Sequence, residues 1–190
     1  VKLRDRIIFH GNKIAKKKFT GSLFNRTANN GQTGYAPQRR GQQVDFEPIT
    51  SFAEIAFDYF QTNQSPKFVV FPRSEELFRY RTKDGDVQMT ERDPATIPES
   101  VVFGVRPCDA AGLRVLAAIF TTDFEDSLFK ARMEKTTIIG LSCRQADADC
   151  FCTSVGGSPG SVLGSDMLLT ELSSGDYMVE IVTEKGQAMV

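Results

Sequence analysis

Two unbroken apolar runs constrain this chain more than any other feature. Ser-Val-Val-Phe-Gly-Val (100–105) and Thr-Thr-Ile-Ile-Gly-Leu-Ser (136–142) lack the polar alternation of a strand with one wet face. Such runs belong to strands covered on both faces, as in parallel sheets. Between them lie an apolar segment, Asp-Ala-Ala-Gly-Leu-Arg-Val-Leu-Ala-Ala-Ile-Phe (109–120), and an amphipathic one, Phe-Glu-Asp-Ser-Leu-Phe-Lys-Ala-Arg-Met-Glu-Lys (124–135), both read as helices. Strand, helices, strand is the pattern of a right-handed crossover between parallel neighbours. A mixed α/β domain follows, and 190 residues are enough to bury one core.

Other segments fit around that unit. Thr50 to Phe60 carries a capping-box signature, Ser51 with Glu54, and predicts a short helix. Lys-Phe-Val-Val-Phe-Pro (67–72) reads as a buried strand stopped by Pro72. Apolar alternation on both sides of Asp84-Gly85 predicts a hairpin over 77–90, and a second one flanks Ser174-Gly175-Asp176. Residues 1–43 hold many Asn, Gln and Gly, with Lys16 to Lys18 and Arg39–Arg40 as basic clusters, and are read as a turn-rich arm or loop. The α/β domain is then drawn over 44–190. The bunched Phe52, Phe57, Phe60, Phe68, Phe71 and Phe78 are assigned to its core.

Charge excludes several functions. With 23 basic and 24 acidic residues there is no overall field to attract nucleic acid. No apolar run approaches the roughly 20 residues of a membrane span. The first residues mix charges into a short apolar stretch and do not read as an export signal. The compartment is therefore read as the reducing cytoplasm, where cysteines serve as ligands or catalysts more often than as disulfides. The one histidine, His10, gives no triad, and no set of catalytic acid, base and nucleophile is visible. Gly156, Gly157, Gly160 and Gly164 match neither phosphate-loop spacing and read as turns.

Three of the four cysteines, Cys143, Cys150 and Cys152, stand within ten residues; the fourth is Cys108. Cys108 lies three residues past the first apolar run and Cys143 directly follows Ser142 of the second. Parallel strands would bring both to the carboxyl edge of the sheet, where open α/β sheets place ligands. Asp109 is a candidate N-cap that aims a helix N-terminus at Cys108. Gly156 and Gly157 could bring backbone N–H groups close to sulfur. Arg106 could balance an anionic site or pair with Asp147 or Asp149, two carboxylates that otherwise disfavour added electrons or solvate the loop. The spacing is neither that of ferredoxins nor that of zinc ribbons. It leaves open an iron–sulfur site, a structural zinc site and four unrelated thiols.

The blocks Phe-Gly-Val-Arg-Pro-Cys-Asp-Ala-Ala-Gly-Leu-Arg-Val-Leu (103–116), Ile-Ile-Gly-Leu-Ser-Cys (138–143), Asp-Cys-Phe-Cys-Thr-Ser-Val-Gly-Gly (149–157) and Gly-Ser-Asp-Met-Leu-Leu-Thr-Glu-Leu (164–172) resemble the amino-terminal domain of a family of iron–sulfur electron-transfer subunits. That family includes the beta subunits of sulfhydrogenases and the electron-transfer subunit of anaerobic sulfite reductase. The resemblance runs from about Ser65 to the end. It implies a 4Fe-4S cluster on Cys108, Cys143, Cys150 and Cys152, with Arg106, Asp109, Gly156 and Gly157 around it. It further implies electron relay between a flavin-containing diaphorase subunit or ferredoxin and a catalytic subunit, with no turnover by this chain alone. The alternative is a zinc-stapled docking module. Family members continue into a ferredoxin-like module with two Cys-x2-Cys-x2-Cys-x3-Cys-Pro runs, and neither run is present in these 190 residues.

Overall fold

The computed structural model describes residues 7–10, 16–17 and 31–190. Its centre is the expected unit: β7 (Ser100–Val105) pairs in parallel with β8 (Thr136–Leu141), and every residue of both strands is buried. The crossover between them is made by α2 (Pro107–Thr121) and α3 (Ser127–Lys135). α3 starts at Asp126, whose carboxylate accepts from the N–H groups of Leu128 (3.0 Å) and Phe129 (2.9 Å).

Six strands form the sheet in the order β10 (Tyr177–Ile181), β9 (Met167–Glu171), β8, β7, β3 (Thr33–Arg40), β4 (Gln43–Ile49). β1 (Ile7–His10) and β2 (Lys16–Lys17) extend it beyond β10. The four central strands β3, β7, β8 and β9 are mutually parallel, while β4 and β10 return antiparallel. The α/β class, the parallel crossover and the β9–β10 hairpin are as expected. Two cores cover the sheet. Val101, Phe103, Ile139, Leu141, Met167 and Leu169 pack on one face. Val102, Val105, Ile138, Ala110, Leu113 and Phe129 pack on the other, under α2 and α3.

Four expectations need correction. Residues 7–10, 16–17 and 33–40 are strands of the sheet, inside the stretch assigned to a turn-rich arm or loop. β3 gains its place by parallel pairing of Thr33–Tyr35 with Ser100–Val102, a long-range contact that local composition does not encode. Arg40 pairs with Glu47 across the β3–β4 hairpin and Arg39 donates to the Asp58 carbonyl. The side chains of Lys16 to Lys18 and of His10 lie outside the described residues.

The capping box at Ser51 closes only a 3-10 turn, Phe52–Glu54. Thr50 Oγ1 does donate to Glu54 (2.8 Å), but Ala56 N–H bonds to the Pro37 carbonyl and leads the chain away. A short helix has too little propagation energy to resist such a contact. Lys67–Val70 is a single helical turn, α1, not a strand. Pro66 enters it with φ −64° and ψ −4°, and Val70 anchors it in the α2–α3 core. Phe71 and Phe78 are about half exposed, outside the core assigned to them.

The remaining elements are α4 (Glu184–Ala188) and the hairpin β5 (Phe78–Lys83) with β6 (Asp86–Glu91), which forms a separate two-stranded sheet. At the amino edge of the main sheet lies a cavity of about 410 Å³. The Arg132–Glu75 fork occupies one wall, with Arg92 3.4 Å from the same carboxylate. No helix among the described residues is long and apolar enough to cross a membrane.

Every residue of β5 and β6 is exposed, and the Arg92 N–H to Leu77 carbonyl bond (2.9 Å) closes the base of the hairpin. Replacing residues 78–91 by a two-residue turn should therefore change unfolding free energy by less than about 1 kcal/mol. Chemical denaturation checks this, and a larger loss would mean that the hairpin supports the core.

Candidate functional site

The site begins with an irregularity in β7. Its register against β8 shifts between Phe103 and Val105, and Gly104, in the gap, has φ 74°. A Cβ on Gly104 would stand 3.2 Å from the Pro37 ring. The shift reverses the faces that follow. Val101 and Phe103 belong to one core, but Val105 joins Val102 in the other. Arg106 is thereby turned back toward the face holding Tyr59.

Arg106 is 7% exposed and directs its guanidinium to backbone carbonyls. Nε donates to Phe60 O (3.0 Å), Nη1 to Ser142 O (3.2 Å), and Nη2 to Tyr59 O. The guanidinium carbon lies 4.0 Å from the centre of the Tyr59 ring, and the Tyr59 hydroxyl donates to Gly104 O at the bulge. Burial drives the Tyr59 phenol far above its ordinary pKa. No ion pair joins Arg106 to a carboxylate among the described residues, so the expected partners Asp147 and Asp149 are excluded. Both aspartates are exposed, and Asp147 Oδ1 accepts from the Asp149 N–H (2.9 Å), a turn within the loop. The guanidinium's hydrogen bonds all go to neutral acceptors, and Asp109 is a carboxylate within its electrostatic reach without forming an ion pair with it.

Cys108 and Cys143 lie beside that charge, one two residues after Arg106 and the other directly after Ser142, whose carbonyl Arg106 binds. Cys108 is the second residue of α2; Arg106 is its N-cap position and Pro107 its first residue. Proline has no N–H to satisfy and a fixed φ, so it starts the helix earlier than an Asp109 cap would require. Asp109 instead sits in the first turn, accepting from Ser65 Oγ (3.3 Å). Burial pushes the Cys108 thiol up and Asp109 adds to this, while the N–H groups of Asp109 and Cys108 oppose it. The neighbouring carboxylate thus works against the helix terminus that was expected to favour the thiolate. Burial raises the Asp109 carboxyl too.

Cys143 directly follows Ser142 at the end of β8, and its N–H donates to Pro159 O (3.0 Å). Burial raises this thiol, the Arg106 charge opposes the rise, and the charges of Cys108, Cys152 and Cys150 add to it. Cys143 therefore lies within electrostatic reach of the other three cysteines at the carboxyl edge. As they stand, no three His, Cys, Asp or Glu side chains among the described residues are close enough together to hold one metal ion. All four cysteines are free thiols.

Cys150 and Cys152 ride on the connection from β8 to β9, residues 142–166, which has no α-helix and only the 3-10 turn Cys152–Val155. Gly156 ends that turn with φ 78°, and the Gly157 N–H bonds to Cys152 O (2.8 Å). These N–H groups are directed to carbonyls, Gly156 to Thr153 O and Gly157 to Cys152 O, and not to sulfur as expected. The base of the loop is pinned by Arg144, which pairs with Asp58 (2.9 Å) and Glu171 (2.8 Å). The Glu171 charge adds to burial in pushing the Tyr177 phenol up to about 12. Sequence reasoning missed the Asp58-Tyr59-Phe60 segment and Glu171. Their only signal was a tyrosine and an acid among apolar neighbours, which core packing explains equally well.

The donor set suits an anionic metal centre. Thiolates in reach of one another repel, and bound metal cations relieve that repulsion. Arg106 supplies further positive charge. The chain is 32% identical over 169 residues to the Sulfhydrogenase 2 subunit beta of Pyrococcus furiosus. The match takes in 88% of this chain and 47% of that protein, so the chain spans about half the length of the curated relative it matches. No family model matches, and no solved structure matches.

The far end of the loop touches α2 through Gly164, which has φ 84° and whose Cβ would stand 2.0 Å from Ala110 O. Gly164→Ala should cost about 3 kcal/mol, combining left-handed strain with overpacking. Gly175→Ala, at φ 79° with open space around it, should cost only about 1 kcal/mol. Denaturation midpoints compare the two; equal losses would show that the loop does not bear on α2.

Proposed function

As a homologue of a sulfhydrogenase beta subunit along most of its length, this chain is, we propose, the electron-transfer domain of a multi-subunit oxidoreductase, carrying a 4Fe-4S cluster on Cys108, Cys143, Cys150 and Cys152. The observation that supports the reading is that Cys108 and Cys143 lie just past the carboxyl ends of two neighbouring parallel strands, with Cys150 and Cys152 within electrostatic reach of Cys143. Bound there, a four-iron cluster would supply a site that accepts and releases one electron at a time.

The protein's own residues have distinct tasks. Cys108 and Cys143 are held by the ends of two fully buried strands, so they fix the position of the centre. Cys150 and Cys152 come on an exposed loop and can adjust to close the set. A tetrahedral site for one zinc ion, with bonds of about 2.3 Å, needs sulfurs roughly 3.8 Å apart. A cubane takes one thiolate on each of four irons and accepts a wider set. Exposed Cys150 and Phe151 leave the loop open to a partner surface. The partners proposed are a flavin-containing subunit or a ferredoxin on one side and a hydrogenase- or sulfite-reductase-like catalytic subunit on the other, in the cytoplasm.

Protein purified without oxygen should contain iron and sulfide and show a broad visible charge-transfer absorption. A colourless protein with one zinc would instead identify a structural staple. Cys108→Ser should lose or convert the cluster yet cost less than about 1 kcal/mol in fold stability, because Cys108 is exposed and the strands carry the core. Iron analysis and thermal melting read the two effects separately.

In metal-free protein, residues 144–160 should be among the least protected amides, since Phe151 and Val155 are exposed and bury little. Strong protection measured by hydrogen exchange would mean that protein contacts alone order the loop.

A further inference from the structure

We infer that Arg106 is the built-in counter-ion of the cysteine site and raises the reduction potential of the centre formed there. The inference rests on the iron–sulfur reading above and specifies how the chain tunes it.

A cation is expensive to bury, and the carbonyls that Arg106 meets could be satisfied by neutral donors or left to water. The other cations nearby are already balanced or wet. Arg144 is about half exposed and shared between Asp58 and Glu171. Arg106 alone combines 7% exposure, bonds to the carbonyls of Tyr59, Phe60 and Ser142, and no carboxylate ion pair among the described residues. Its Ser142 bond lies one residue before Cys143, and Pro107 joins it to Cys108. The charge is thus held between two of the four thiols by carbonyls of two separate segments, Tyr59–Phe60 and Ser142, and cannot swing away. Transfer of one electron from a partner redox protein adds one negative charge to the centre. A fixed positive charge at low dielectric favours that reduced state, and net charge near a cluster is one of the terms that set its potential.

The roles of charge and of shape separate in substitutions. Arg106→Gln removes the charge, Arg106→Lys keeps it without the fork, and Arg144→Gln removes an exposed, balanced charge. Midpoint potentials are read by electron paramagnetic resonance during redox titration of the loaded protein. Arg106→Gln should shift the potential downward, while Arg106→Lys and Arg144→Gln stay near the parent. In metal-free protein both Arg106 variants should melt at lower temperature than the parent, because both lose carbonyl contacts. Stability and potential then respond differently, which a purely structural arginine would not produce. An unchanged potential in Arg106→Gln overturns the inference. If Arg106→Gln does not retain a cluster, Arg106→Lys decides: a parent-like potential supports the counter-ion role, and a downward shift overturns it. A parent protein without iron overturns the iron–sulfur reading and the inference together.

Discussion

The parallel pairing of β7 with β8 is the constraint on which everything else depends. Twelve buried residues form the two strands, and each fully buried Val, Ile or Phe among them contributes about 1.5–3 kcal/mol through loss of apolar surface from water. Because the strands run the same way, their carboxyl ends coincide. Whatever residue follows each end is placed at one edge, so Arg106 to Cys108 and Ser142 to Cys143 become neighbours across 35 residues of chain. β3 and β9 pair parallel on either flank and lock that edge in the middle of the sheet, away from fraying.

The Gly104 bulge converts this edge from a packing surface into a polar site. Without the register shift, Val105 would continue in line with Phe103 and Arg106 would face the helices, where no carbonyls await it. With the shift, Arg106 reaches the Tyr59–Phe60 carbonyls and lies over the Tyr59 ring. The irregularity costs one ladder position and gains a rigidly held charge. That exchange is common where strands end at functional sites.

A second departure from regular α/β structure serves the same edge. Parallel neighbours are usually joined by a helix that covers the sheet. Between β8 and β9 the chain instead runs through residues 142–166 as a loop that stays exposed over most of its length. It is held at Cys143, Arg144 and Gly164, and its apolar residues Phe151, Val155 and Leu163 face solvent. Such a loop adds little to stability. In the proposed iron–sulfur site, it would let Cys150 and Cys152 adjust around a centre anchored by Cys108 and Cys143.

The unbroken apolar runs Val101–Val105 and Ile138–Leu141 determined the buried parallel unit by themselves, since such runs suit strands covered on both faces. Turn chemistry at Asp84-Gly85 and Gly175 determined the hairpins, because left-handed backbone is local in origin. Resemblance in the cysteine blocks pointed to the kind of subunit. Tertiary structure decided the rest. It made 33–40 a sheet strand through pairing with β7, and it stopped the helix after Glu54 through the Pro37 carbonyl. Phe71 was left about half exposed, and the start of α2 was set by proline and not by aspartate. It also directed Arg106 to two segments distant in sequence, Tyr59–Phe60 and Ser142. The β3 pairing, the Pro37 contact and the Arg106 bonds each join residues far apart in the chain, and local periodicity carries no record of which distant carbonyl or strand will be within reach.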